Sequence, residues 1–555
     1  MTADVRARAE DWLAQDPDPE TRQELVDLLT ADAAGDPAAA AELEDRFRER
    51  LAFGTAGLRG AIAAGSNRMN RVLVSQAAVG LAEHLLAQGL ERPLIVIGYD
   101  GRRNSRVFAE DSAALMAGAG ADAVLLPRLL PTPVLAFAVR HLGADAGVMV
   151  TASHNPPQDN GYKVYLGGDD DGSQIVPPVD SAIAERILAV ATSRRVTELP
   201  RGEHRIADES VVDAYIAATA AVGRQSAPLR VVYTAMHGVG WETAHRVLSG
   251  ADFDEPAVVV EQIDPDPAFP TVAFPNPEEA GALDLAFATA RSGRAQLIVA
   301  NDPDADRFAA AIPDASLEEG FRRLSGNEVG ALLGWRAAER ARSAGRTGGA
   351  LACSIVSSPA LGAVARDYGL DFAETLTGFK WISRVPDLVF GYEEALGYLV
   401  NPETVRDKDG ISAALAFLDL ASSLAAEGRT IADELDAFAE RFGLFGSEQI
   451  SLRVTDLSEI GRIMAGLRST PPTAIGGLPV QRTEDLLAAD GALPPTDALR
   501  FTLDGARLIA RPSGTEPKVK LYLDAWSHEA DGDARRGAVA ARLDALRAGA
   551  AELLR

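Results

Sequence analysis

Residues 151–165 read TASHNPPQDNGYKVY, and the interpretation of the fold starts from this stretch. It directly follows Ala146-Gly-Val-Met-Val150, a short apolar run that is typical of a buried strand. Two prolines end the strand, so Ser153 and His154 are expected on a turn at its carboxyl end. Ligands bind at that end of the strands in open α/β sheets. A serine hydroxyl there can be a nucleophile, provided that a base or a metal activates it.

A second motif, Asn301-Asp-Pro-Asp-Ala-Asp-Arg307, also follows an apolar run. Its carboxylates, Asp302, Asp304 and Asp306, occupy alternate positions and can point inward from one tight loop. Oxygen-only ligands suit a hard cation such as Mg²⁺, and without a metal the three charges would repel one another. A solvated acidic loop is the alternative, because the whole chain is acidic. The position at a strand end favours the metal.

A third motif, Arg511-Pro-Ser-Gly-Thr-Glu-Pro-Lys-Val-Lys520, combines hydroxyls, a glycine and cations. Exposed backbone N–H groups, hydroxyls and an arginine fork together make a phosphate site. A hairpin turn between strands at 507–510 and 519–523 is the alternative. Both interpretations can hold, since binding residues concentrate on loops held by rigid strands.

Together the three motifs resemble those of the α-D-phosphohexomutase superfamily, in the family's order, from about residue 50 to 525. They resemble its phosphoserine, magnesium and distal phosphate-binding loops. A fourth stretch, Gly391-Tyr-Glu-Glu-Ala-Leu-Gly-Tyr398, resembles the sugar-specificity loop. Other family-like stretches are FGTAGLRG at 53–60, GYDGR at 98–102, TGFKW at 377–381 and RDKDG at 406–410.

The resemblance implies a phosphoserine enzyme with a bisphosphosugar intermediate, in which Ser153 passes its phosphoryl group to the sugar. It also implies Mg²⁺ on the three aspartates, with the Ser153 phosphate as the last ligand, and an activator of the glucose 1,6-bisphosphate type. Arg59, Lys163 and His154 are the candidates for proton transfer or charge neutralisation, with a plain electrostatic or structural role as the alternative. His237 is a further candidate. The substrate-binding residues that the resemblance implies are Arg307, Lys380, Glu393, Arg511, Ser513, Gly514, Thr515 and Lys520.

The sugar loop leaves the substrate open. Interconversion of hexose 1-phosphate and hexose 6-phosphate is expected, with glucose favoured over mannose. Many hexose-specific members have a serine two positions after the glutamate, however, and this chain has Ala395. The Glu-Glu-Ala version resembles the branch with phosphopentomutases, so interconversion of ribose 1-phosphate and 5-phosphate is the alternative. A metal-dependent sugar phosphatase and a non-catalytic phosphosugar-binding protein are more remote alternatives.

Composition narrows the classes of partner. The chain has 555 residues and a net charge of −26, and it is 47% hydrophobic. Its negative field repels nucleic acid and anionic membranes, so neither is expected as a partner. Cys353, the one cysteine, lies in an apolar stretch and is expected as a packed strand residue. The amino terminus lacks the apolar core of a signal peptide, and no apolar run approaches the roughly 18 residues of a membrane span. A cytoplasmic location is expected. The sequence does not indicate an oligomeric state.

The order of predicted elements indicates an α/β protein with three related mixed or parallel α/β domains and a carboxyl-terminal α+β domain with a largely antiparallel sheet. An amino-terminal helical extension is expected to pack on the first domain, and the Pro-, Gly- and Thr-rich residues 466–498 are predicted as a long loop, either ordered or mobile. The predicted boundaries are 1–48 for the helical extension, 49–205 with the phosphoserine loop, 206–315 with the metal loop, 316–430 with the sugar loop and 431–555 with the phosphate loop.

Overall fold

The computed structural model describes residues 3–454, 457–488, 493–512 and 518–553. These residues divide into two compact units. The first unit comprises Met1–Leu324 and Gly397–Ser423, and the second comprises Ser325–Leu396 and Leu424–Arg555.

Helices and strands alternate along most of the chain. The helices are α1 (Ala3–Gln15), α2 (Pro19–Ala33), α3 (Pro37–Arg48), α4 (Arg71–Ala87), α5 (Ser105–Gly118), α6 (Thr132–His141), α7 (Val179–Ser193), α8 (Ser210–Ala220), α9 (Gly240–Gly250), α10 (Asp284–Gly293), α11 (Gly326–Ser343), α12 (Ala360–Tyr368), α13 (Phe379–Ile382), α14 (Gly410–Ala426), α15 (Ile431–Phe442), α16 (Leu457–Ser469) and α17 (Gly532–Leu553). The strands are β1 (Leu58–Ala61), β2 (Leu94–Tyr99), β3 (Asp122–Leu125), β4 (Ala146–Val150), β5 (Asp159–Leu166), β6 (Ser173–Gln174), β7 (Arg205–Ile206), β8 (Val231–Thr234), β9 (Ala257–Val258), β10 (Leu297–Asn301), β11 (Phe308–Pro313), β12 (Phe321–Arg323), β13 (Ala350–Ser354), β14 (Asp371–Thr375), β15 (Leu388–Glu393), β16 (Gly397–Leu399), β17 (Leu444–Arg453), β18 (Ala474–Ile475), β19 (Leu478–Asp485), β20 (Leu499–Leu503), β21 (Ala506–Pro512) and β22 (Lys518–Ser527).

A mixed sheet in the order β1-β5-β4-β2-β3-β7 organises the amino-terminal half of the first unit. β4, β2 and β3 pair in parallel, and β5 pairs antiparallel with both β4 and β1. Every residue of β4 is buried, as expected for a strand covered on both faces. β4 and β5 are adjacent, so residues 151–158 connect two paired strands and residues 159–165 belong to β5.

The three amino-terminal helices pack on this domain, as the sequence predicts. Trp12, Leu43 and Phe47 are buried in the same apolar core as the strands of the mixed sheet. Asp18 and Asp36 cap α2 and α3, and each helix then begins with a proline. Each aspartate side chain accepts a hydrogen bond from a backbone N–H of the first turn, and the proline has no N–H that needs a partner.

A second sheet of the first unit has the order β12-β11-β10-β8-β9. β10 pairs in parallel with β8 and antiparallel with β11, where Asn301 faces Phe308. The acidic motif is therefore the tight connection between two paired strands. α14 begins beside this loop, since Gly410 N donates to Ala305 O (3.2 Å).

The second unit contains a parallel sheet and an antiparallel sheet. β14, β13 and β15 pair in parallel, and the buried Cys353 lies in β13, as predicted. The order β17-β22-β21-β20-β19-β18 forms the antiparallel sheet. α17 packs on it through Val539, Leu546 and Ala550. These sheets confirm the predicted fold class.

The prediction of a long loop at residues 466–498 is wrong, because the segment contains the end of α16 and the strands β18 and β19. Ile475 pairs with Leu478 across Gly476 and Gly477, which both have positive φ values of 55° and 81°. Two glycines between short strands are a hairpin signal, since this tight turn needs φ > 0 at both central residues. β18 has only two residues, and β19 has no fully buried residue, so neither strand shows the apolar pattern that distinguishes a buried strand from a loop.

Among the described residues, no single helix is long and apolar enough to cross a membrane, although α14 and α15 taken together pass a test of length and composition.

Candidate active site

Ser153 lies on the turn after β4 in an uncommon backbone conformation. Its φ is 53°, in the left-handed region that non-glycine residues rarely adopt. The Ser153 N–H donates to Thr151 Oγ1 (2.9 Å), which helps to fix the turn. The side chain is buried, and its Oγ donates to Asp302 Oδ2 at 2.9 Å. The serine hydroxyl therefore lies against the acidic loop.

The three carboxylates of that loop form one buried group. Asp302, Asp304 and Asp306 each have 0% exposure, and one oxygen from each lies within 4.8 Å of the others. Ala305 takes a positive φ of 53°, which turns the loop sharply between them. Asp304 Oδ1 and Asp306 Oδ1 are buried and have no hydrogen-bond partner among the described residues. Buried oxygens without donors and an all-oxygen ligand set fit a hard cation, so the loop is a metal-binding site.

Two lysines neutralise part of this charge. Lys163 Nζ lies 2.7 Å from Asp304 Oδ2 and 2.6 Å from Asp306 Oδ2. Lys408 Nζ lies 2.9 Å from Asp306 Oδ2. Lys163 comes from β5, and Lys408 comes from the segment before α14. The remaining charge imbalance leaves the site suited to a cation and an anionic phosphate together.

The pKa shifts of the aspartates in the acidic loop differ in direction. Burial and the charges of Asp304 and Asp306 raise the pKa of Asp302 well above its ordinary value. Burial alone would also raise the pKa of Asp304, but the charge and hydrogen bond of Lys163, with a hydrogen bond from Thr132, hold it below its ordinary value. Asp302 is thus the carboxylate whose charge the protein itself stabilises least.

Arg59 and His154 belong to the same group of side chains. Arg59 Nη1 donates to Asn155 Oδ1 at 3.1 Å, next to the serine turn. His154 Nδ1 lies 3.2 Å from Ser153 Oγ. Burial, followed by the charges of Arg307 and Arg59, lowers the pKa of His154 well below its ordinary value. The imidazole is therefore neutral near pH 7, which leaves one ring nitrogen able to accept a hydrogen bond.

Arg307 and His237 differ in their relation to the loop. Arg307 N donates to Asp302 Oδ1 (2.9 Å), and its Nε lies 3.9 Å from Asp302 Oδ2. The structure therefore places Arg307 on the metal loop, as expected. His237 Nε2 lies 2.8 Å from Thr271 Oγ1, a contact that accords with the structural alternative for this histidine.

In the second unit, Glu393 ends β15 and its Oε1 accepts from Gly378 N (2.6 Å). The neighbouring Glu394 accepts from Ser354 Oγ (3.0 Å) and Ser357 Oγ (2.9 Å) through its Oε2. This second glutamate anchors the sugar loop to β13 and the turn that follows it. The carboxylate of Glu393 is held on the 377–381 stretch.

The predicted phosphate loop joins β21 and β22, which form the expected hairpin. Arg511 pairs with Lys520 in the strand register, and Arg511 Nη1 donates to Thr377 Oγ1 (2.6 Å). Lys380 lies in α13, directly after Gly378 and Phe379. Ser513, Gly514 and Thr515 lie outside the described residues.

Sequence reasoning missed two residues of the acidic site. Lys408 belongs to the family-like stretch 406–410, but the sequence predicts no role for it, and Thr132, whose Oγ1 donates to Asp304 Oδ2 (2.5 Å), is not among the predicted residues. A charged residue between two aspartates before an apolar helix was the available signal for Lys408. No local pattern singles out Thr132, because its partner is 172 positions away.

A buried serine hydroxyl and a metal-binding carboxylate group follow two α/β strands, and two lysines contact the carboxylates. This combination suits an enzyme that handles phosphate groups. Comparison with known proteins gives the family. Four domain profiles described as phosphoglucomutase/phosphomannomutase match: alpha/beta/alpha domains I, II and III at residues 50–194, 213–315 and 325–442, and the C-terminal domain at 457–541.

Individual relatives agree. The chain is 55% identical over 460 residues to a probable phosphomannomutase of Haemophilus influenzae, covering 82% of this chain and 93% of that one. It is 36% identical over 543 residues to the phosphopentomutase of Homo sapiens, covering 87% and 86%. The crystal structure of a phosphoglucomutase/phosphomannomutase family protein from Burkholderia thailandensis superposes with a TM-score of 0.69 at 20% identity, covering 90% and 96%. The chain belongs to the phosphoglucomutase/phosphomannomutase family and is a phosphosugar mutase, an isomerase.

Proposed function

We propose that the chain interconverts hexose 1-phosphate and hexose 6-phosphate, with glucose as the preferred sugar and mannose as a second substrate, through a phosphoserine at Ser153. The contact that carries the proposal is the 2.9 Å hydrogen bond from Ser153 Oγ to Asp302 Oδ2. It places a buried hydroxyl at the edge of a metal-binding group. Phosphoryl transfer depends on such positioning and on neutralising oxygen charge.

The reaction has two balanced halves. In the first, the bond between phosphorus and Ser153 Oγ breaks while a bond from phosphorus to the free sugar hydroxyl forms. The proton of that hydroxyl passes to a basic group, Ser153 Oγ takes up a proton as it leaves phosphorus, and the product is a bisphosphosugar. In the second half, the bond between the other phosphorus and its sugar oxygen breaks while a bond from that phosphorus to Ser153 Oγ forms. The serine releases its proton, and the departing sugar oxygen takes one up. A bisphosphosugar of the glucose 1,6-bisphosphate type would load a dephosphorylated enzyme by the same second step.

The side chains divide this work. We assign exchange of the serine proton to His154, whose Nδ1 lies 3.2 Å from Ser153 Oγ. Lys163 directs its ammonium group at Asp304 and Asp306, so we assign it charge neutralisation. Arg59 and Arg307 are assigned to phosphate oxygens. The three aspartates would hold Mg²⁺, which would neutralise charge on the transferring phosphoryl group.

We assign substrate binding in the second unit to two groups of residues. Glu393 would accept hydrogen bonds from sugar hydroxyls, with Lys380 two residues after Gly378, whose N–H donates to Glu393. Arg511 and Lys520, with Ser513, Gly514 and Thr515, would bind the phosphate that is not reacting. Phosphosugars are the only partners proposed. A cytoplasmic location and the absence of nucleic-acid and membrane partners stay predictions from composition, and the four domain boundaries stay predictions from the order of elements.

A phosphopentomutase is the second candidate function. Ala395 supports it, because a serine at this position would offer a hexose one more hydroxyl contact. The 36% identity to a phosphopentomutase over most of both chains also supports it. The 55% identity to a probable phosphomannomutase supports the hexose assignment.

Steady-state kinetics decide between the two. We would measure kcat/KM for glucose 1-phosphate, mannose 1-phosphate and ribose 1-phosphate with MgCl₂ and a trace of the matching bisphosphate, and repeat each assay with Ser153→Ala. We expect a preference for glucose 1-phosphate and a loss of at least about two orders of magnitude in the variant. A ribose preference would replace the hexose assignment. Near-normal turnover by Ser153→Ala would refute the phosphoserine mechanism.

A further inference from the structure

The buried side chain of Arg102 binds four backbone carbonyls of the turn that carries Ser153. Its Nη2 donates to Ser153 O (2.6 Å) and Asn155 O (2.5 Å). Its Nη1 donates to Pro156 O (2.9 Å) and Asp159 O (3.2 Å). One planar guanidinium therefore spans the whole turn from the serine to the start of β5.

The arginine is itself held in place from two other directions. Arg102 N donates to Asp100 Oδ1 (2.9 Å), and its Nε lies 3.6 Å from Asp100 Oδ2. Ser105 Oγ donates to the same carboxylate at 2.6 Å. The ring of Phe269 covers the guanidinium at 4.9 Å from its centroid, a cation–π contact that is stronger when desolvated. Arg102 is only 4% exposed, so little freedom remains for it.

The turn needs such a support because its backbone is in a rare conformation and its carbonyls converge. Ser153 has a φ of 53°, and several carbonyl dipoles of the turn point toward one place. Without Arg102, each of these four oxygens in the partly buried turn would lose one hydrogen bond. Arginine is the side chain with enough donors in a fixed fork to satisfy four oxygens at once.

We propose that Arg102 is a positioning residue of the mutase, which acts through the carbonyls of residues 153–159 to keep Ser153 Oγ in line for phosphoryl transfer. The inference rests on the proposed role of Ser153. It assigns Arg102 no contact with the sugar, so its loss lowers the rate of phosphoryl transfer and leaves substrate affinity nearly unchanged. Misplacement of a reacting group by about 1 Å costs on the order of a hundredfold in rate.

The test compares Arg102→Met and Arg102→Lys with the matched control Arg46→Met. Arg46 is also a buried arginine (8% exposed), and it pairs with Glu24 and Glu42 and donates to Ala64 O (3.3 Å), in contact with neither the serine turn nor the acidic loop. Dephosphorylated protein is mixed with glucose 1,6-bisphosphate and quenched, and phosphate on Ser153 is followed by mass spectrometry. The steady-state kcat and KM for glucose 1-phosphate and the Tm are measured on the same samples.

We expect Arg102→Met to phosphorylate Ser153 about a hundredfold more slowly, with KM within about threefold of wild type. Arg102→Lys should fall between the two, since one ammonium satisfies fewer carbonyls. Arg46→Met should change Tm and leave the rate unchanged.

Three results would overturn the inference. The first is a rate for Arg102→Met within about threefold of wild type. The second is an equal loss of rate in Arg46→Met, which would make the effect one of general stability. The third applies if Arg102→Met does not fold: a wild-type rate of Ser153 phosphorylation in Arg102→Lys. If wild type becomes phosphorylated on Ser153 and an Arg102 variant does so at a similar rate, only this inference is refuted. If wild type never acquires phosphate on Ser153, the proposed function is refuted as well.

Discussion

Ser153 Oγ lies 2.9 Å from Asp302 Oδ2, although 149 positions separate the two residues in the chain. Each residue follows a buried strand, Ser153 after β4 and Asp302 after β10, and the two strands belong to different sheets of the first unit. The contact joins the two halves of the proposed chemistry, the phosphate acceptor and the metal site. A substitution at either residue is therefore expected to affect both the serine and the metal site.

Asp302→Asn should change stability in opposite directions with and without metal. Burial and two neighbouring carboxylates raise the pKa of Asp302, so its negative charge is costly in the metal-free protein. We therefore expect the variant to have a higher Tm than wild type in EDTA. In MgCl₂ it should lose most of the Tm increase that wild type shows, because a bound ligand stabilises only the state that binds it.

Differential scanning calorimetry in the two buffers measures both effects. The control is Asp27→Asn, which removes an exposed aspartate on α2 and should match wild type in each buffer. A variant that is less stable than wild type in EDTA and retains the full magnesium response would contradict the assignment of Asp302 as a metal ligand.

His154→Gln tests proton transfer at the serine. Glutamine can still form a hydrogen bond at this position, but it cannot exchange a proton. General acid–base catalysis typically raises the rate by about 10²–10⁴-fold. We expect kcat for glucose 1-phosphate to fall by about a hundredfold with little change in KM. Lys163→Met removes the positive charge beside Asp304 and Asp306, so this variant should reach half-maximal activation at a lower Mg²⁺ concentration than wild type. Stopped-flow and steady-state assays across a magnesium series distinguish the two. A His154→Gln variant with wild-type kcat would reduce the histidine to a structural hydrogen bond.

The local part of the candidate site could be predicted from the sequence, and the part made by distant contacts could not. Ser153 and the three aspartates each follow a strand within a few residues, so their position needs only the strand prediction and the rule for strand ends. Lys408 and Thr132 reach the same aspartates from other elements, and Arg102 reaches the serine turn from 51 positions away. Their roles depend on how the sheet and its connections pack.

The fold shows the same limit. β4 was predicted with its observed bounds, because a buried strand is a continuous apolar run. The hairpin of β18 and β19 was missed, because β18 is a two-residue edge strand and β19 has no fully buried residue and contains a proline at position 479. Such strands are formed by their partners more than by their own composition.

Ala395→Ser should shift sugar preference toward hexoses. Ala395 directly follows the two glutamates of the sugar loop, and it is half-buried. A serine hydroxyl there would supply one hydrogen bond to a sugar hydroxyl, worth about 1 kcal/mol, or roughly a fivefold to tenfold gain in the ratio of kcat/KM for glucose 1-phosphate over ribose 1-phosphate. Ala395→Cys, similar in size with a weak donor, is the matched control. Equal ratios of kcat/KM in wild type and both variants would show that this position does not contribute to sugar selectivity.

Asp409 should make the stability of the first unit depend on pH. Its Oδ1 accepts from Ile411 N (2.9 Å) and Ser412 N (3.0 Å), and Tyr215 Oη donates to the carboxylate. Burial nevertheless raises the pKa of Asp409 to about 6, from an ordinary value of 3.8. Between these two values the folded state holds a proton that the unfolded state has released. The free energy of unfolding therefore falls as pH rises from about 4 to about 6, by an amount on the order of 3 kcal/mol.

Asp409→Asn removes the titration and keeps an oxygen for the two backbone donors. The difference in Tm between the variant and wild type should therefore grow in favour of the variant as pH rises from 4 to 6, and then stay constant to pH 8. Calorimetry at half-unit steps of pH provides the measurement, with EDTA present so that magnesium binding does not contribute. Because other groups titrate equally in both proteins, only the difference between the two curves bears on Asp409. A difference that is flat from pH 4 to pH 8 would mean that the backbone N–H groups and Tyr215 fully compensate the burial of this charge.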